Sequence, residues 1–150
     1  MEENLIFSGQ PLLTKESIRQ INPQTLSFIG DAVFELVVRT KTHREGRRPV
    51  ARLHEEKKDI VNAAAQAAMI ARIGPMLTEE EQAVVRRGRN AKQHSKAKNQ
   101  TVRDYHEASG LEALCGYLYL TGQTARLEEL LRAGISGAET DGAYVLTEDT

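Results

Sequence analysis

Residues 26–39, LSFIGDAVFELVVR, decide how this chain folds. At about 100° per residue, Leu26, Ile29, Val33 and Leu36 fall on one stripe, the signature of a helix with one buried face. The start is equally legible, because Asn22 can cap and Pro23 suits the first helical position, where a missing N–H is no loss. The helix is expected to run to about Arg39. Asp31 lies nearly opposite the stripe, with Ser27 and Glu35 one turn to either side, and Phe28 also points away from it. Gly30 costs a helix interior roughly 1 kcal/mol relative to alanine, so close approach of another backbone or of a ligand is its natural reason. Periodicity alone leaves Asp31 as an ordinary exposed acid.

Outward from this helix, the pattern is helical almost throughout. Residues 12–21 have weak helical spacing, and THREGRRP (42–49) is a polar turn with Gly46 and Pro49 as breakers. Residues 50–73 form one longer segment, alanine-rich in the middle and closed by Gly74-Pro75. Thr78 with Glu81 forms a capping box for a helix through Val84 and Val85 towards Gly88. Residues 88–101 lack apolar periodicity and read as a loop. A helix of about 15 residues is expected from near Tyr105 to Leu120. Gly122 separates it from a last helix, expected to end at Gly134. The tail from 136 to 150 has four acids and no base, so loose ordering is expected there, after a domain spanning 1–135. No internal repeat is visible, and the fold class is all-α.

Composition narrows the function classes. At 150 residues the chain has the size of one domain. Twenty Lys+Arg against 21 Asp+Glu give a net charge of -1, so only the distribution of charge can point to a polyanion. One cysteine excludes a disulfide framework and a thiolate zinc cluster. No apolar run approaches a membrane span, and the start, MEENLIFSG, lacks the order of a secretory signal; a cytoplasmic protein is expected. From Arg86 to Arg103 there are seven basic residues and no acid: Arg86, Arg87, Arg89, Lys92, Lys96, Lys98 and Arg103. Asn90, Gln93, His94, Ser95 and Asn99 are interleaved. Such a run is either a solvated loop or a phosphate-binding one, and without aromatics it suits duplex phosphates better than stacked single strands. Lys41, Arg44, Arg47, Arg48 and Arg52 form a smaller cluster. A second acid stands out at Glu112, at the shoulder of the stripe Leu111, Leu114, Cys115 and Leu118. The small residues Ser109 and Gly116 lie one turn to either side, which leaves space for a metal with its waters or marks a helix–helix seam. The four histidines show no paired ligand spacing.

LSFIGDAVFELVVR, RRGRNAK and GLEALCGYLYL, in that order, resemble the ribonuclease III catalytic domain, and more closely its short bacterial form, Mini-ribonuclease III. The resemblance covers roughly residues 20–135. It implies an all-helical bundle without strands of consequence, acting as a homodimer that cuts double-stranded RNA with Mg²⁺ to leave 5′-phosphate and 3′-hydroxyl ends. It further implies maturation of the 23S ribosomal RNA precursor, with ribosomal proteins on that precursor as further partners and no membrane. The family's catalytic and metal-binding aspartate falls on Asp31 and its essential glutamate on Glu112; Glu35 could join the metal site or an inter-subunit contact. RNA contacts are expected from Arg86, Arg87, Arg89, Asn90, Lys92, Lys96, Lys98 and Asn99, because the chain has no counterpart of the family's separate RNA-binding domain. Phe28 is expected at the dimer interface. Longer members carry carboxylates where this chain has Ser27 and Ser109. That departure keeps open a non-catalytic, ribosome-associated RNA-binding relative, and a helical scaffold with an incidental loop is the third alternative.

Overall fold

The computed structural model describes residues 13–44, 49–91 and 101–140. Seven α-helices make up this part: α1 (Lys15–Ile18), α2 (Pro23–Arg44), α3 (Val50–Val61), α4 (Ala63–Ile73), α5 (Glu79–Asn90), α6 (Val102–Leu120) and α7 (Thr124–Thr140). No strand occurs among the described residues, so the all-α expectation is correct. The caps follow local chemistry. Asn22 Oδ1 accepts from the Gln24 N–H at 2.8 Å, and Thr78 and Glu81 form the reciprocal box. Gly122, with φ at 75°, ends α6; the Gln123 N–H then donates to the Leu118 carbonyl at 2.8 Å.

Helix α6 is the axis of the bundle, packed on α2, α4, α5 and α7. Its residues from Ala108 to Leu118 are buried on nearly every side, Glu112 being the exception. Leu111, Leu114, Cys115 and Leu118 join Leu26, Phe34 and Val38 of α2, Met69, Ile70 and Ile73 of α4, and Leu127, Leu130 and Leu131 of α7 in one core. Arg126 of α7 ties the rim together by reaching Glu81 Oε1 at 2.9 Å and the Met76 carbonyl at 2.7 Å. Burial alone would raise the Glu81 carboxyl, but the Arg126 and Thr78 hydrogen bonds hold it below its ordinary range.

Four expectations need correction. The buried line of α2 is Leu26, Gly30, Phe34 and Val38, whereas Leu36 is exposed and Ile29 and Val33 are half-buried. Apolar residues surround much of α2, so hydrophobicity does not choose the face; Gly30 does, because only there can α6 come close. A Cβ on Gly30 would stand 1.6 Å from the Glu112 carbonyl oxygen, and one on Gly116 2.2 Å from that of Leu26. The room left by Gly116 is therefore filled by α2, not by a ligand. The segment 50–73 is two helices: Asn62 adopts an extended conformation and its side chain caps α4 at Ala65. Helix α7 runs through Gly134 to Thr140, since that glycine faces Met69, whose Cγ would lie 2.3 Å from an added Cβ. Helix α2 likewise continues past Arg39 to Arg44.

Gly30→Ala should cost about 3 kcal/mol or more in urea unfolding, because backbone rather than a flexible side chain blocks the new methyl. Gly74→Ala, with open space around it, should stay within about 0.5 kcal/mol. Equal behaviour of the two variants would remove the α2–α6 contact as the constraint.

Candidate functional site

The close approach of α2 and α6 also sets the position of two acids. Asp31 follows Gly30, and Glu112 supplies the carbonyl that Gly30 accommodates. Their side chains meet on one side of this crossing and hydrogen-bond each other. They lie in a cleft of about 280 Å³, walled by α2, α4 and α6 with the end of α3. Gln24, Ser27, Phe28, Gln66, Tyr105 and Ser109 also line it, with Val61, Ala63 and Ala108 as its apolar part.

Burial, and then the charge of Asp31 and its hydrogen bond, push the Glu112 carboxyl up to about 8, with Gln66 pulling in the opposite direction. Two carboxylates in contact, one of them desolvated, form a site short of positive charge. Mg²⁺ takes oxygen ligands and is commonly held by one or two carboxylates with water and substrate phosphate completing its shell. Asp31 and Glu112 fit that requirement. Among the described residues no group of three or more His, Cys, Asp or Glu is placed to hold a metal. Ser27 and Ser109 do not extend the acid pair. The Ser27 hydroxyl donates to the Ser109 carbonyl at 2.9 Å, joining α2 to α6 in a buried bond.

The other expected site residues separate. Glu35 does not line the cleft; it holds Lys57 of α3 at 2.5 Å and Arg39 at 2.8 Å. Arg87 donates to the Arg19 and Ile21 carbonyls at 3.2 and 2.9 Å, tying α5 to the segment before α2. Arg89 pairs with Glu107 of α6 at 3.2 Å. The Arg89 carbonyl lies 2.8 Å from His106 Nδ1; as it only accepts, Nδ1 carries the proton. Arg86 and Asn90 are exposed at the end of α5. Lys92, Lys96, Lys98 and Asn99 lie outside the described residues, as do Arg47, Arg48 and residues 141–150. In the smaller cluster, Lys41 is buried, and Lys41, Arg44 and Arg52 all have partners. Phe28 is 79% exposed at the cleft edge.

Sequence reading missed Gln66 and Tyr105. Gln66 is the one polar side chain in AAAQAAMIA (63–71), a signal readable as something other than core. Tyr105 precedes Glu112 by two turns on the same helix face, which helical spacing alone could have shown.

The family model described as the Ribonuclease III domain matches residues 24–123. A Mini-ribonuclease 3 of Thermoanaerobacter sp. (strain X514) is 45% identical over 141 residues, covering 93% of this chain and 99% of that one. One from Symbiobacterium thermophilum is 48% identical over 111 residues, 74% of this chain and 85% of its own. The crystal structure of protein FN1578 from Fusobacterium nucleatum superposes with a TM-score of 0.74 at 29% identity, covering 83% of this chain and all of that one.

The raised Glu112 carboxyl has a consequence for stability without metal. Between about 4.5 and about 8 the native state keeps a proton that the unfolded chain has released. The unfolded chain then binds fewer protons, so stability falls as pH rises across this window, by up to about 1.4 kcal/mol per unit. Glu112→Gln should flatten that slope in urea unfolding in EDTA at pH 5 to 8. A slope unchanged by the substitution would contradict the assigned environment.

Proposed function

This chain belongs to the ribonuclease III family, in its Mini-ribonuclease 3 group, and from that premise we propose that it is a Mg²⁺-dependent endonuclease of double-stranded RNA. The carrying observation is the contact of Asp31 and Glu112, brought from separate parts of the sequence into one open cleft. Phosphodiester hydrolysis needs an activated water and neutralisation of charge on the phosphoryl oxygens, which Mg²⁺ supplies when bound. Asp31 and Glu112 would hold that ion, while the Gly30 contact fixes their separation before substrate arrives. The products are 5′-phosphate and 3′-hydroxyl ends. Maturation of 23S ribosomal RNA precursor ends in the cytoplasm, on RNA carrying ribosomal proteins, is the cellular role this reading carries. No described helix is long and apolar enough to cross a membrane.

The Ser27–Ser109 bond favours the rival reading of a non-catalytic RNA-binding relative, since neither serine adds a charge to the site. The acid pair opposes that rival, because two carboxylates in contact disfavour their own ionisation and have no use in a passive phosphate-binding surface. Incubation of a labelled RNA duplex with protein and Mg²⁺ or EDTA decides between them. Asp31→Asn and Glu112→Gln should each reduce cleavage by at least about 10³-fold, and the double variant should be little worse than either, because the groups act as a unit. Asp31→Asn should still bind duplex RNA. In that background, alanine at Arg86, Lys92, Lys96 and Lys98 should flatten the salt dependence of binding by a slope of about 1 for each phosphate that is no longer neutralised. Arg87 and Arg89 are tied into the fold and serve RNA by fixing the helix end that carries Arg86 and Asn90. Cleavage by Asp31→Asn at the wild-type rate would overturn the site.

The homodimer belongs to the same proposal. A 79% exposed Phe28 beside the acid pair, with the exposed Leu36 on the same helix, is apolar surface that a second copy would cover. A twofold pair would present two cuts to antiparallel strands. Phe28→Ala should raise the dimer dissociation constant roughly 30-fold while leaving the melting temperature of the subunit nearly unchanged. Sedimentation showing an unaltered dimer at low concentration would contradict this.

A further inference from the structure

We infer that Gln66 is a positioning residue for the acid pair, its amide fixing the Glu112 carboxylate in the orientation that receives a divalent cation. The inference rests on the proposed function of Asp31 and Glu112, and adds a third helix to their site. Gln66 is only 3% exposed, yet it lines the cleft. A buried amide that lacked partners would be costly, and the acid pair is the polar group that shares the cleft with it. Its side chain hydrogen-bonds Glu112 in the sense that favours the charged carboxylate, so the amide N–H is the donor.

Local sequence explains how it gets there. Asn62 caps α4 and sets its start, and Ala63, Ala64 and Ala65 before Gln66, with Ala67 and Ala68 after it, keep the helix narrow. Helix α4 can thus pack closely on α6 and present one long polar side chain to the acids.

Neither serine in the cleft offers an equivalent. Ser27 spends its hydroxyl on the Ser109 carbonyl, and that bond joins α2 to α6 without an observed contact to Glu112. Once Glu112 has lost the proton it shares with Asp31, the two carboxylates repel each other and turn apart unless neutral donors hold them. Gln66 supplies such a donor without adding charge, which leaves the site's negative potential available to a cation. Partners that orient metal-binding side chains in this way typically change metal affinity or activity by roughly 10- to 100-fold when removed.

The test uses the full-length protein and two substitutions of similar volume. Gln66→Met keeps the packing and removes the polar group; Gln66→Glu keeps the shape and polarity but is no amide donor at pH 8. Mn²⁺ serves as the probe, with its affinity read by titration calorimetry and by the spectrum of the free ion. The melting temperature and the separate kcat and KM on a duplex RNA complete the readout. Gln66→Met should weaken Mn²⁺ binding about tenfold and lower kcat roughly 10- to 100-fold at fixed Mg²⁺. KM should stay within about twofold, because Gln66 acts through Glu112, and raised Mg²⁺ should recover much of the rate. The melting temperature should not fall, since a buried amide has become an apolar side chain. Gln66→Glu should also lose kcat. Wild-type Mn²⁺ affinity and kcat in either folded variant overturn the inference, and so does a loss confined to the melting temperature. Glu112→Gln run alongside separates the two levels. If it is inert while Gln66→Met behaves as wild type, only the role of Gln66 falls. If Glu112→Gln cleaves normally, the reading of the acid pair falls and the role of Gln66 with it.

Discussion

Two helices of this protein touch through their backbones, and the rest of the structure is arranged around that contact. At Gly30 and Gly116 the side chains are absent on both sides, so α2 and α6 approach until the carbonyls of Leu26 and Glu112 occupy the space of a methyl group. Close packing gains dispersion contacts along the whole crossing. It also removes freedom from the residues beside it. Asp31 and Glu112 flank the contact, and their distance is a property of the crossing rather than of either side chain. Two like charges are held together more easily on a junction where the backbones themselves touch.

The acid pair is an electrostatic expense that the fold carries elsewhere. Glu112 is desolvated beside Asp31, which disfavours its charged form. The apolar core around Leu114 and Phe34 and the Arg126–Glu81 tie between α7 and α5 supply the offsetting stability. Such local disfavour is what a nearby positive charge would relieve.

Basic residues divide by the same logic of partners. The run from Arg86 to Arg103 is uniform in sequence, but the structure gives Arg87 to the carbonyls before α2 and Arg89 to Glu107. Of its described helical portion, Arg86 and Asn90 at the end of α5 and Arg103 at the start of α6 are exposed. Charge density alone therefore does not tell which of these side chains are committed to the fold.

The helices and their ends were legible in the sequence because capping and periodicity are local: Asn22 and Pro23, Thr78 with Glu81, and Gly122 each act within a few residues. The importance of Gly30 was legible as well, since a glycine inside a helix needs a reason. Resemblance pointed to Asp31 and Glu112, but no periodicity could join them. What required tertiary structure was every choice among equivalent local options. Apolar residues surround α2, so which face is buried depended on where another helix could come close, and Leu36 ended outside. Gly134 could stop a helix or admit a neighbour, and Met69 decided for the second. Gln66 was one polar residue among alanines until α4 packed on α6 and set it beside Glu112. Local chemistry determines which conformations a segment can adopt; packing between distant segments decides which side chains meet, and the chemistry of the site belongs to that second step.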